Sequence, residues 1–130
     1  MLDRLLNTPA MLTARGALTG MAARHAALAD NLANVNTPGY KRKEVPFEAA
    51  LSGAVQARLR ARDRGARIEE RPFRPVVARD TLTMGREDGN NVDVERELVQ
   101  LTDNATRYQT VTQCVSMMFA GLKLVINGGR

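Results

Sequence analysis

Apolar positions fall into two long registers, one towards each end of the chain, with a different pattern between them. Met11, Ala14, Leu18, Met21, His25, Leu28, Leu32 and Val35 step alternately by three and four residues, which lays one mostly apolar seam along a helix. Towards the other terminus, Val94, Leu98, Leu101, Ala105, Tyr108, Thr112, Val115, Phe119, Leu122 and Ile126 step by four and three without a break. Sustained over more than four heptads, that is a coiled-coil pattern. At about 1.5 Å per residue it predicts a helix on the order of 50 Å long. Val111, Met117, Met118 and Val125 widen its stripe beyond what a simple two-stranded coil needs.

Start and stop signals bound both registers. Leu2, Leu5 and Leu6 form a small apolar cluster, and Asn7-Thr8-Pro9 then offers a cap followed by proline at a first helical position. The first helix is predicted to run from there to about Asn34. Asn31, Asn34 and Asn36 arrive together, and asparagine tolerates the left-handed backbone that ends helices. Thr37 precedes a proline, which disfavours helical dihedrals at Thr37. Pro38-Gly39 fits the centre of a type II turn, with glycine supplying the positive φ, and Tyr40 is then placed to fold back on the helix. Gly16 and Gly20, with the alanines around them, leave smooth faces for close packing against several neighbouring helices.

The segment between the helices is mixed. Residues 41–47 read as extended chain anchored by Phe47, and Glu48 to about Leu59 as a short helix. Pro75-Val76-Val77 and Thr81-Leu82-Thr83 are β-prone and suggest one hairpin. Asp88-Gly89-Asn90-Asn91 is a dense turn signal. It is not a calcium loop, because Val92 and Asp93 stand where an alternating ligand and the required glycine belong. The second long helix opens at Asn91 or Asp93, with Asp93, Glu95 and Glu97 at the positive end of its dipole, and Gly128-Gly129 ends it.

The predicted fold is therefore mainly α: long N- and C-terminal heptad helices packed as an antiparallel coiled coil, with a short irregular, β-containing insert. Residues 1–40, 41–90 and 91–130 are the three parts. Composition agrees, since 44% of residues are apolar but only 4% aromatic, with no tryptophan, which suits helix–helix contact better than a sandwich. Cys114 is the single cysteine, so no internal disulfide is possible. No apolar run approaches the roughly 20 residues of a membrane span. Asp3, Arg4, Arg15 and Arg24 interrupt the N-terminus, which therefore lacks a secretory signal; read alone, that implies a cytoplasmic protein.

The net charge of +5 is uneven. Residues 41–79 hold eleven basic and five acidic groups, whereas residues 80–130 hold five and seven. Arg58, Arg60, Arg62, Arg64 and Arg67 form a candidate basic contact patch, most simply a solvated loop or a strand with one basic face. No aromatic residue interleaves them, so a platform for stacking bases is missing. His25 is the only histidine and most simply a packed seam residue. No arrangement of nucleophile, base or metal ligands is visible, and neither an enzyme, a cofactor nor a small-molecule substrate is expected. The candidate assembly residues are those of the seams: Met11, Leu18, Met21, His25, Leu28 and Leu32 on the first helix, and Leu98, Leu101, Tyr108, Val115, Phe119 and Leu122 on the second.

One motif carries more. Asn31-Leu32-Ala33-Asn34 followed by Thr37-Pro38-Gly39-Tyr40-Lys41 resembles the N-terminal signature of bacterial flagellar rod and hook proteins. Asp88-Gly89-Asn90-Asn91-Val92-Asp93, with Glu97-Leu98 and Asn104-Ala105-x-Arg107-Tyr108-Gln109, is similar to a C-terminal signature within that family. The resemblance implies a structural subunit of the proximal rod that polymerises through its terminal helices into a tube. The tube would transmit torque and enclose the export channel. It implies export through the flagellar type III apparatus without a cleaved signal, and a place in the rod within the periplasmic space. The implied partners are the chain itself, other rod proteins, the export apparatus and an adaptor between membrane ring and rod. The alternative reading is a small basic adaptor or nucleic-acid-binding protein using residues 58–67; no nucleic acid is expected on the rod reading.

Overall fold

The computed structural model describes residues 8–65 and 72–128; the Leu2, Leu5 and Leu6 cluster and Arg67 lie outside them. Helix α1 spans Pro9–Ala33. Thr8 caps it, its hydroxyl accepting from the Met11 N–H at 3.2 Å, and Pro9 takes the first turn, where a missing N–H costs nothing. Strand β1 is Lys43–Glu44, helix α2 is Glu48–Asp63, strand β2 is Ala78–Arg79, and helix α3 is Val94–Ile126. Asp93 caps α3, its carboxylate accepting from the N–H groups of Glu95 and Arg96.

Both α2 and α3 pack on α1. Asn31 at the end of α1 meets Glu97 at the start of α3, and the Met21 carbonyl accepts from the Asn104 amide, so the long helices run antiparallel. The apolar core is Met21, Ala27, Val45, Phe47 and Leu51, with Ala17, Val55, Phe73 and Val111 against it. Gly16 and Gly20 serve this core. Phe47 lies against Gly20 and Leu51 against Gly16, so part of the smooth face of α1 is filled by the chain's own insert. Arg24 closes the core on one side, 4.6 Å above the Phe47 ring and paired with Glu48.

Several expectations need correction. β2 does not form a local hairpin with Thr81-Leu82-Thr83. It pairs antiparallel with β1, Lys43 opposite Arg79 and Glu44 opposite Ala78, because the loop after β2 is turned away by the Asp80 carboxylate, which accepts from the Leu82 and Thr83 N–H groups. The arginine run is neither loop nor strand. α2 continues to Asp63 through Arg58, Arg60 and Arg62, with Arg64 as its cap, since alanine, leucine, glutamine and arginine all favour helix.

The seams are also rotated. On α1, Met11, Met21 and Leu28 are buried, Leu18 and Leu32 are half-buried, and His25 is exposed. On α3 the inward line runs through Glu97, Leu101, Asn104, Val111 and Val115, while Leu98, Tyr108 and Phe119 are exposed and Leu122 is half-buried. Asn31 and the Arg42 side chain need a partner that apolar residues cannot supply, so α3 turns Glu97 inward and much of its apolar seam outward. That outward surface has one further consequence. Contrary to the expectation that no apolar run approaches a membrane span, α3 is long and apolar enough to cross one by length and composition alone.

The close approach at Gly20 yields a test. A methyl there would clash with three atoms of the Phe47 ring, whereas one at Gly16 would clash with the Cδ1 methyl of Leu51 alone and reach Phe73 Cβ at an ordinary 3.6 Å. Gly20→Ala should cost about 1–3 kcal/mol by overpacking against a ring. Gly16→Ala should stay within about 1 kcal/mol of wild type, because Leu51 can rotate and alanine favours helix. Thermal unfolding followed by circular dichroism measures both.

Candidate functional site: a clasp joining the helix ends

The two polar segments singled out in the sequence come together as one clasp. Asn31 is fully buried and all its hydrogen-bonding capacity is used. Its Oδ1 accepts from the Lys43 N–H at 2.7 Å and from the Tyr40 hydroxyl at 3.2 Å. Its Nδ2 donates to the Lys43 carbonyl at 2.9 Å and to Glu97 at 2.8 Å. Tyr40 thus folds back on α1 as expected, and its burial raises its pKa. The turn beneath it is the expected one: the Tyr40 N–H donates to the Thr37 carbonyl at 3.2 Å and Gly39 has φ +71°. The Asn34 side chain accepts from the Thr37 hydroxyl. Leu32 is half-buried, and Ala33 and Pro38 are exposed.

Asn90, also fully buried, closes the other half. Its Nδ2 donates to the carbonyls of Asn34, Val35 and Thr37 at 2.9–3.0 Å, satisfying backbone acceptors that the end of α1 leaves open. The Gly39 N–H donates to the Asp88 carbonyl at 2.8 Å, and Lys41 Nζ to the Gly89 carbonyl at 2.8 Å. Asn91 accepts from the Arg42 N–H at 2.7 Å and donates to the Asp80 carbonyl at 2.8 Å. The sequence reading of residues 88–91 as a turn is therefore incomplete: both asparagines are ties between distant segments.

Arg42 lies at the centre, 2% exposed. Its Nε donates to Glu97 at 2.9 Å, its guanidinium pairs with Glu44 and approaches Asp80 at 3.5 Å, and Gln100 accepts at 3.4 Å. Burial opposes its charge, yet the hydrogen bond to Glu97 and the adjacent carboxylates more than offset that, so its pKa is raised. Glu97 is itself fully buried, and removing one member of such a pair typically costs about 3–5 kcal/mol. Sequence reasoning missed both. Arg42 sits inside the run Lys41-Arg42-Lys43-Glu44 with nothing to mark it as buried, and Glu97 reads as an ordinary first-turn acid.

The other predicted residues stand apart from the clasp. Met11, Met21 and Leu28 belong to the helix contact. Arg60, Arg62 and Arg64 are exposed on the far part of α2, and Arg58 is half-buried there. The clasp holds no nucleophile with a base beside it; what its geometry can do is fix the ends of two helices relative to each other.

Comparison with known proteins gives that role a setting. The family described as "Flagella basal body rod protein" matches residues 11–41, which are α1 and the first half of the clasp. The protein described as "Flagellar basal body rod protein FlgB" in Salmonella typhimurium is 30% identical over 99% of each chain. Its namesake in Escherichia coli is likewise 30% identical over 99% of each. The chain belongs to the flagellar basal-body rod protein family. The Bacillus subtilis protein of the same description is 30% identical over 79% of this chain and 81% of its own. Membership in the rod family leaves the reading of residues 58–67 as a nucleic-acid site without support. It also sets the clasp in a structural protein, where joining two helix ends is itself a function.

Two predictions follow from clasp geometry. Gly39→Val should be strained by about 1–3 kcal/mol, because β-branched residues disfavour positive φ, while Gly39→Asn should be milder. A Cβ placed there would meet nothing within 4 Å, so backbone strain is the expected difference between the two variants. Scoring swimming and basal-body completion checks this, and equal behaviour would refute it. The second concerns acid. The Thr83 hydroxyl and N–H, then the Leu82 N–H and Arg42, hold the Asp80 carboxyl at about 2, below its ordinary 3.8. A depressed carboxyl stabilises the fold above its unfolded value and loses that contribution as pH falls through the folded one. Stability should therefore drop between about pH 4 and 2, and less in Asp80→Asn. Equal acid slopes in denaturant titrations would exclude this role for Asp80.

Proposed function

We propose that this chain is a structural subunit of the proximal rod, polymerising through its terminal helices into the tubular shaft that transmits torque and encloses the export channel. One observation carries the proposal. Leu98, Val99, Tyr108, Met117, Phe119, Leu124, Val125 and Ile126 are all exposed on a single helix, far more apolar surface than a monomeric soluble helix leaves uncovered. Packing against neighbouring helices covers it. The same surface accounts for the hydropathy of α3, along which Gln109, Gln113 and Ser116 place polar amide and hydroxyl groups.

On this reading the assembly surface comprises Leu18, His25 and Leu32 on α1, and Leu98, Tyr108, Phe119 and Leu122 on α3. Met11, Met21, Leu28, Leu101 and Val115 support it from within the chain. Residues 1–40 and 91–130 are its axial parts and residues 41–90 the insert that locks them together. Its partners are further copies, other rod proteins, the adaptor between membrane ring and rod, and the type III export apparatus. Its place is the rod in the periplasmic space, reached without a cleaved signal; the resemblance of both end motifs to axial proteins supports this. Arg60, Arg62 and Arg64 of the α2 end are solvated, and exposed charges of this kind contribute little each.

Two substitutions separate assembly from folding. Phe119 is 43% exposed and Leu28 only 2%. Phe119→Asp should leave the melting temperature of the free chain nearly unchanged and abolish rod formation. Leu28→Asp should cost several kcal/mol in the free chain as well, because its carboxylate would be buried without a partner. Normal swimming with Phe119→Asp, in a strain lacking the native subunit, would refute the proposal.

A further inference from the structure

The loop after β2 presents two apolar side chains almost wholly to solvent: Leu82 is 94% exposed and Met84 96%. The loop is built rigidly. The Asp80 carboxylate accepts from the Leu82 and Thr83 N–H groups at 3.1 and 3.0 Å and from the Thr83 hydroxyl at 2.5 Å. Further along, the Arg86 N–H donates to the Asn90 carbonyl at 2.7 Å. Gly85 packs so closely on that carbonyl that a Cβ would fall 2.6 Å from it. Two large apolar side chains on a preorganised loop lose little further freedom on docking, which is how a contact anchor is made.

The same chain carries a receptor of matching character. Between α1 and α2, Ala17, Met21, Phe47, Leu51 and Val55 supply the apolar lining of a groove of about 370 Å³, which the Arg24–Glu48 pair, Thr13, Ser52, Gln56 and Arg107 of α3 also border. That space is ample for a leucine and a methionine side chain. The charges also match. Glu87, three residues beyond Met84, is exposed and makes no ion pair among the described residues, while Arg107, 62% exposed at the groove, is held only by an exposed pair with Asp103 of its own helix at 2.8 Å. We propose that Leu82 and Met84 of one copy seat in the α1–α2 groove of a second copy, with Glu87 facing its Arg107.

Loop and groove are different surfaces, the loop at the clasp end and the groove towards the middle of α1. A contact between them is heterologous, so each copy keeps a free loop and a free groove and the contact propagates instead of closing a pair. The inference rests on the rod reading and adds to it a defined contact between copies, outside the helix seams.

The test uses the full chain in a Cys114→Ser background, with Leu82→Cys and Ala17→Cys combined. The chain is expressed in a strain lacking the native subunit and mildly oxidised in isolated basal bodies. The expected result is cross-linked species larger than a dimer on non-reducing gels, absent from either single-cysteine chain. In parallel, Leu82→Ser with Met84→Ser should leave the melting temperature of the free chain unchanged while lowering incorporation into basal bodies at least tenfold. A swimming, basal-body-incorporated double-cysteine chain without these cross-links overturns the contact and leaves the rod reading intact. So do cross-links only to a different protein. Absence of the unsubstituted chain from basal bodies would instead sink the rod reading, and this contact with it.

Discussion

A guanidinium can be held in a protein interior only where opposite charge and hydrogen-bond acceptors surround it, and the fold is arranged to do this for Arg42. Glu97 meets it from α3, Glu44 from β1, Asp80 from the end of β2 and Gln100 from the next turn of α3. Asn31 then binds the same Glu97 and both backbone groups of Lys43. Since α1, β1, β2 and α3 are all drawn to one point, their relative placement leaves little freedom. The antiparallel pairing of α1 and α3 is the geometric result.

That polar centre also decides what the helices show to the outside. Turning Glu97 and Asn104 towards α1 rotates Leu98, Tyr108 and Phe119 away from it. The cost of satisfying one buried cation is thus an uncovered apolar stripe, and in a polymer that stripe becomes contact surface. Specificity of register inside the chain and adhesiveness between chains arise from the same rotation of one helix.

The two long helices, their caps at Thr8 and Asp93, and the Pro38-Gly39 turn were legible because each depends on local rules: periodicity, capping and the steric freedom of glycine. Tyr40 folding back was legible for the same reason. The arginine helix was not, since a run of like charges reads as loop unless the helix propensities of alanine, leucine and arginine are weighed above their repulsion. The β1–β2 pairing escaped because its partners lie 34 to 36 residues apart and nothing local marks two-residue strands. The clasp was half legible. Its asparagines stood out as turn formers, but that Asn31, Asn90 and Asn91 bind one another's segments follows from tertiary proximity, which polar residues do not advertise. A buried Arg42 in a basic run and a buried Glu97 in an acidic helix start look like surface residues until they meet.

The clasp is also a statement about time. Its longer ties join residues 48 to 66 positions apart, from Lys41 with Gly89 to Asn31 with Glu97, so the first helix cannot acquire its final partner until nearly three quarters of the chain is free to fold. Long loop closures slow folding because their entropy is lost before the contacts reward it. A polypeptide built this way stays pliable while any large part of it is confined, and becomes a rigid component only once both ends of the clasp are in the same place.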